Sequence, residues 1–535
     1  MANGLPSLQP LPYWRRYIGI TLGVLFSVGV ALALRFPRLA ERPMHNDEAV
    51  NAIKFGRLFE KAGYNYDPNE HHGPTLYYAT LWLAKLTRAP DFAHFTESRL
   101  RALTVLFGVG LILVLPLTAD GLGRRATVWA AIFTAVSPAF VFYSRYYIHE
   151  MLLVFFAFLS LAAGWRYWRS RKIGWALLAG AGVGLMYATK ETFVITAAAA
   201  GLALGLNHVW NRLVDASGLP VRAPRLNLWH MIAAFGVCLL VGVALFSSFF
   251  TNAAGPLDSI RTYGPWLNRA GGASEHMHPW NFYFHRLLWF HVAKGPVWTE
   301  LVILALALIG GLTGFLRRNL GRANASFGRF LSLYTLLLTA AYAVIGYKTP
   351  WCLLNFWQPM ILLAGLGAAV IMRRATHVKV KLALATLLLA GAGHLFWQAA
   401  QTAIPYAADQ RNPYAYAQTS PDVVNLSNQL KALAAVHPDG LGMVLKVISS
   451  GGDYWPLPWY LREFRNVGWW DEVPSDPFAP AMIVSAKWNA ALDEQKTHLM
   501  VRYFALRPQV FLELYVQIDL WRAYLATKPP PQSDK

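Results

Sequence analysis

The chain has 535 residues, 55% of them hydrophobic and only 14% charged, with a mean hydropathy of +0.33. Soluble domains carry roughly 25% charged residues, so this chain cannot coat a soluble surface of its size, and its 21 Trp, 24 Tyr and 30 Phe exclude disorder. The net charge of +20, from 48 Lys and Arg against 28 Asp and Glu, reads as basic bias in membrane loops, and no nucleic-acid partner is expected.

A spanning helix needs about 20 mainly apolar residues, and about eleven uncharged stretches approach that length. They are 17–34, 102–119, 126–144, 151–165, 173–189, 192–211, 228–250, 301–316, 330–347, 349–372 and 382–400. Arg35 and Arg38 follow the first stretch with no small-residue cleavage site, so it reads as a span and not a signal peptide. Cys238 and Cys352 fall inside apolar runs and read as buried free thiols. No internal repeat of the kind found in many secondary transporters is visible.

Basic residues fix the expected direction. Alternate loops carry Arg15-Arg16, Arg124-Arg125, Arg166 to Lys172, Arg212 to Arg225, Arg317 to Arg329 and Arg373 to Lys381, almost without acids. That set reads as cytoplasmic, with the N-terminus inside and, for an odd number of spans, the C-terminus outside. The expected location is the cell (inner) membrane. The extracytoplasmic segments are then 35–101, 251–300 and 401–535, with short turns at Arg145–Glu150, Lys190–Glu191 and Lys348–Pro350.

The first outer loop opens with 44–51, MHNDEAVN. Asn46 or Asp47 is the expected N-cap of a helix over about 48–62, whose Val50, Ile53, Phe55, Leu58 and Phe59 suit the membrane interface. A carboxylate at such a helix start stays ionised, as a general base must; the alternative is that Asp47 and Glu48 merely cap the helix. A second element follows at 70–83, with Pro74 at its first turn. Glu70, His71 and His72 at its start could touch a phosphate or, with His45, a divalent cation.

His276 and His278, two apart, share a face if extended, and with Trp280, Tyr283 and Trp289 could line a ligand site or form an interfacial aromatic belt. Lys190, Arg145 and Lys348 stand at outer ends of spans, where charges either serve function or snorkel to the interface. In the tail, 422–436 reads as an amphipathic helix, 443–448 and 481–485 as buried strands and 509–526 as a helix, giving a small α/β domain over 401–535 that follows a membrane module over 1–400. Pro456 and Pro458 suit a rigid exposed edge at Tyr454–Trp459. Residues 528–535 read as a frayed end.

Taken in order, these motifs resemble the multispanning GT-C glycosyltransferases, with the protein O-mannosyltransferases and lipid A aminoarabinose transferases the closest in shape. The resemblance is carried by Asp47-Glu48, by Gly73-Pro74-Thr75-Leu76-Tyr77-Tyr78, by RLRALTVL at 99–106, by the Ser144–Met151 turn and by GVGLMYATKE at 182–191. Further along, GYKTPWC at 346–352, DYWPLPWYLR at 453–462 and His278-Pro279-Trp280 resemble a narrower branch named for flippase-associated roles in archaeal and bacterial glycosylation. One departure is His72-Gly73-Pro74, where the family has Lys-Pro-Pro.

The resemblance implies an 11-helix GT-C bundle that moves a sugar, with inversion, from a polyprenyl-phosphate donor to a protein, lipid or glycan acceptor. It makes Asp47 the base, with Glu48 beside it. Glu150 and His45 would position the acceptor or a cation; Arg145, Lys190, Lys348 and His72 would meet the donor phosphate; His276, His278 and Trp280 would meet the sugar. The metal is open, with Glu70 and His71 as its ligands if there is one. A flippase or transporter of lipid-linked glycans and a glycan-binding accessory subunit are the competing readings. The topology is checked with reporters that work only outside the cytoplasm: a fusion after Lys535 is expected to be active and a fusion near Arg125 silent.

Overall fold

The computed structural model describes residues 18–60, 63–69, 72–89, 91–214, 226–272, 276–316 and 320–528. Among the described residues eight helices are long and apolar enough to cross a membrane, and a bent pair, Arg124–Val136 with Pro138–Ser144, raises the number to nine. Two shorter apolar helices, Ile173–Tyr187 and Leu301–Leu316, complete the set, so each apolar stretch of the sequence falls on one of these helices. The chain is a multi-pass membrane protein. Its first four helices are α1 (Ile18–Arg35), α2 (Asn46–Phe59), α3 (Thr75–Leu86) and α4 (Glu97–Val114).

The bent pair turns by 57° at Ser137-Pro138. Proline ends the hydrogen-bond ladder, and in an apolar medium the freed backbone groups must find partners. Arg35 at the end of α1 donates to the carbonyls of Thr134 and Ala135 at 2.8 and 2.7 Å. On the other side of the break, buried Glu300 accepts from the Ala139 N–H at 2.9 Å and the Ser137 hydroxyl at 2.5 Å. One cation and one anion thus replace the missing turn.

Helix Leu354–Arg374 is the buried centre of the bundle. Its neighbours come within backbone contact because the crossing residues are small: a Cβ on Gly367 would lie 2.0 Å from the Leu306 carbonyl, and one on Gly310 1.9 Å from that of Leu363.

The last spanning helix, Val378–Ala403, leads into a strap over 404–419 that runs back across the bundle. Tyr414 donates to Glu300 at 2.6 Å, Trp298 donates to the Arg411 carbonyl at 2.6 Å, and Thr419 donates to the Met44 carbonyl at 2.7 Å. Beyond it lies a five-stranded sheet of β1 (Val444–Ile448), β2 (Asn466–Trp470), β3 (Ala481–Ser485), β4 (His498–Arg507) and β5 (Val510–Gln517), in the order β2-β1-β3-β5-β4. β2, β1 and β3 run parallel, while β5 is antiparallel to both β3 and β4. Helix Asp422–Ala434 buries Val423, Leu426, Leu430 and Leu433 in the core shared with the sheet.

Two readings of the tail are corrected. The stretch 509–526 is helical only over Ile518–Ala526; Val510, Leu512, Leu514 and Val516 alternate onto the core shared with the helices, and that period of two makes a strand. The aromatic run is not an exposed edge: Trp459 is fully buried and donates to Glu97 at 2.8 Å, while the Tyr460 hydroxyl accepts from the Met44 N–H at 2.9 Å. Residues 528–535 lie outside the described residues, save Lys528. Gly367→Val is expected to force the central helices apart and destabilise the bundle by about 1–3 kcal/mol, read as a lower melting temperature in detergent.

Candidate active site

The loops expected on one side of the membrane meet at the end of the bundle that carries the sheet domain. α2 starts with a reciprocal cap: the His45 ring accepts from the Asp47 N–H at 3.2 Å, and Glu48 accepts from the His45 N–H at 3.0 Å. The N-cap is therefore His45, one residue before the expected Asn46 and two before Asp47, and the helix stops at Phe59. Burial lowers the His45 imidazole below its usual range, which suits a ring nitrogen that accepts. Its Nε2 lies 3.1 Å from the Tyr416 carbonyl. Both ring nitrogens are engaged, so His45 is not placed to bind a cation.

Glu48, expected beside the base, is instead a buried anchor. Its carboxylate accepts from Arg101 twice at 2.8 Å, from Arg42 at 2.9 Å and from the Tyr147 N–H at 2.9 Å. Burial alone would push it up, but Arg101 and Arg42 outweigh burial and hold it at about 2. Asp47, one residue away, is exposed, and its carboxylate forms no hydrogen bond or ion pair among the described residues.

A second cluster surrounds Lys190. Gly73 N–H and Thr75 N–H donate to the carbonyls of Thr189 and Ala188, each at 3.1 Å. This close pairing requires glycine, since a Cβ on residue 73 would sit 2.1 Å from the Ala188 carbonyl oxygen. It brings His72 to Glu191, with Nδ1 and Oε2 2.7 Å apart, and stacks the His72 ring on Trp266 at 4.9 Å. Buried Lys190 pairs with Glu150, which keeps the ammonium above the usual lysine range against the opposing effect of burial.

The turn Pro350–Leu353 joins the two clusters. Trp351 packs against His45, Tyr146 and Tyr416 at 5.7, 6.3 and 6.2 Å, while the Cys352 thiol lies 3.9 Å from Glu150. The histidine pair joins here as well: His276 Nδ1 and His278 Nε2 reach the Tyr416 hydroxyl at 2.8 and 3.1 Å, so they do share a face. Trp280 does not join them; it is exposed and packs on Phe284.

Two expected phosphate ligands have other work. Arg145 is buried and donates to the carbonyls of Arg35, Pro37 and Arg38. Lys348 donates to the carbonyls of His278 and Ile345, clamping its own loop. Glu70 and His71 lie outside the described residues. Among the described residues no group of three His, Cys, Asp or Glu side chains is placed to hold a metal ion. The sequence reading missed Arg42, Trp351, Tyr416 and Glu191. It also missed Arg101, although a cation next to the start of an apolar run was a signal.

The sequence model of the dolichyl-phosphate-mannose-protein mannosyltransferase family matches residues 30–254. No curated protein matches the chain. Among solved structures, ArnT from Cupriavidus metallidurans bound to undecaprenyl phosphate is similar at 15% identity, with 92% of this chain and 98% of that one covered and a TM-score of 0.56. AglB, the oligosaccharyltransferase from Archaeoglobus fulgidus, in complex with an inhibitory peptide and a dolichol-phosphate, is similar at 12% identity over 96% of this chain and 77% of that one, with a TM-score of 0.54. The arabinofuranosyltransferase AftD from Mycobacteria is similar at 14% identity over 94% of this chain and 40% of that one, with a TM-score of 0.50. The fold is that of the GT-C glycosyltransferases.

Glu48→Gln is expected to leave Arg42 and Arg101 buried without their counter-charge, at a cost of about 3–5 kcal/mol. Because the carboxyl is depressed in the folded protein, the stability it provides is complete above its ordinary 4.5 and is lost as pH falls towards about 2. Melting temperature measured against pH should show a fall across that window that is smaller in Glu48→Gln.

Proposed function

We propose that the protein is a membrane glycosyltransferase that moves a hexose or pentose from a polyprenyl-phosphate donor to an extracytoplasmic protein, lipid or glycan acceptor, with inversion. The N-terminus is cytoplasmic, and the site and the sheet domain face outward from the cell membrane. The observation that carries the reading is the exposed carboxylate of Asp47, which no described residue pairs with, on a helix start that buried charges hold fixed, in a GT-C fold. The match to the mannosyltransferase family model and the lipid phosphate bound by the ArnT structure support it.

In this reading Asp47 takes the proton from the acceptor hydroxyl or amide as the acceptor atom bonds to the anomeric carbon from the face opposite the donor phosphate. The bond from that carbon to the phosphate oxygen breaks, and its electron pair leaves with the polyprenyl phosphate. Lys190, oriented by Glu150, and His72, oriented by Glu191, face the developing phosphate charge. His276 and His278, tied through Tyr416 to the α2 start, meet the sugar.

Asp47→Asn keeps size and hydrogen bonding but removes basicity. It should insert and melt like the wild type, retain donor, and lose transfer by about 10²–10⁴-fold. Sugar transfer is measured with membranes or purified protein and a radiolabelled polyprenyl-phosphate sugar. Wild-type transfer by Asp47→Asn would refute the assignment of the base.

A further inference from the structure

A groove of about 500 Å³ opens between the loop after α1, the end of α3 and the first turns of α4. It lies apart from Asp47 and Lys190, and the reaction above does not use it. Its walls are apolar, formed by Phe36, Leu39, Leu83, Phe95 and Ala102. Two arginines also line it. Arg38 is already paired with Glu41, which lines the groove as well, so that pair adds no net charge to it. Arg99 is half-buried, its guanidinium rests 5.9 Å from the Phe95 ring centroid, and that guanidinium forms no ion pair or hydrogen bond among the described residues.

The surroundings set the depth of this groove. α1 and α4 are spanning helices, and the groove sits where both reach the sheet-domain end of the bundle. α3 exposes Trp82 and Leu86, at 68% and 77% of their surface, and carries exposed Lys85 in its last turn, with exposed Arg88 two residues past its end. Aromatic and aliphatic side chains beside basic ones mark a helix lying in the membrane interface. Of the acids on the flanking segments, Asp91 is exposed and engaged by His94, and Glu97 accepts from Trp459. An apolar slot at headgroup depth with one unanswered guanidinium fits an amphiphile whose charge is negative.

We propose that this groove binds an anionic phospholipid of the leaflet on the sheet-domain side, with its acyl chain against Leu83 and Ala102 and its phosphate on Arg99. The loop that forms one wall is held by Arg145, through the carbonyls of Pro37 and Arg38, and by Arg101, through that of Leu39. Arg101 also holds Glu48, so the lipid position is one side chain removed from the anchor of α2.

The test uses the full-length protein in nanodiscs with equal phosphatidylglycerol and phosphatidylcholine of the same acyl composition. A diazirine-acyl phosphatidylglycerol is cross-linked and the modified peptides are mapped. Cross-links are expected within 36–41, 83–87 and 95–102, and excess unlabelled phosphatidylglycerol should compete about fivefold better than phosphatidylcholine, the preference one arginine gives at a membrane surface. Arg99→Gln should remove that preference, and Ala102→Trp should reduce labelling by either lipid. Cross-links confined to other segments, or an unchanged preference in Arg99→Gln, would overturn the proposal. If Ala102→Trp fails to insert, Arg99→Gln decides alone, since among the described residues the Arg99 guanidinium holds no ion pair or hydrogen bond whose loss would unfold the protein. Labelling is read independently of sugar transfer, so it stands or falls apart from the assignment of Asp47.

Discussion

A carboxylate sealed from water, Glu48, is gripped by two guanidinium groups that come from different parts of the chain. Arg42 belongs to the loop that leaves α1, and Arg101 to the first turns of α4, so the pairing ties the start of α2 to two spanning helices at once. Such a group is costly to bury and is tolerated only when its oxygens are filled. Here every contact that fills them also places something: Arg42 donates onward to the Arg145 carbonyl, Arg101 to those of Leu39 and Arg42, and Tyr147 brings the turn before Glu150 against the helix start. The two halves of the site share this brace. The short span from Arg145 to Glu150 lies against Glu48 at one end and Lys190 at the other.

The same logic recurs at Glu300. A proline break within a spanning segment leaves backbone groups that lipid cannot satisfy. Arg35 and Glu300 satisfy them from opposite sides, and Glu300 then uses its remaining capacity on Tyr414 and Trp357. The strap over 404–419 is therefore held by the very group that repairs the broken helix. Through Tyr416 and Gln418 it reaches His45, His276, His278 and Tyr146. Backbone repair in the bundle and side-chain placement at its mouth are one network.

Much of this was legible in the sequence, and what was legible shares a cause. Spans follow from the length and continuity of apolar runs, and the grouping of loops follows from where Arg and Lys fall; both are local signals. The extended face of His276 and His278 was local too. What was not legible depends on contacts between distant positions: Glu48 finding Arg101 at a separation of 53 residues, Tyr414 finding Glu300 at 114, Trp459 finding Glu97 at 362. The tail strand Val510–Gln517 went unread for a different reason. Burial on both faces hides its alternation, with Glu513 and Tyr515 buried opposite Leu512 and Leu514, so it resembled an apolar helix until its partners were known.

The adjacent acids show how little sequence separation says about chemical role. Successive residues in a helix point about 100° apart, so when one of a pair faces the core the next turns away from it. The reciprocal cap uses His45 and Glu48, which leaves the Asp47 side chain without a capping duty. Had Asp47 capped the helix, its oxygens would be spent on backbone N–H groups, and a carboxylate so engaged is a weaker proton acceptor. A histidine at the N-cap is unusual, since Ser, Thr, Asp and Asn are preferred there. Its effect is to let both acids depart from the default: Glu48 turns inward to fix the helix, and Asp47 turns outward with a carboxylate that no described residue engages.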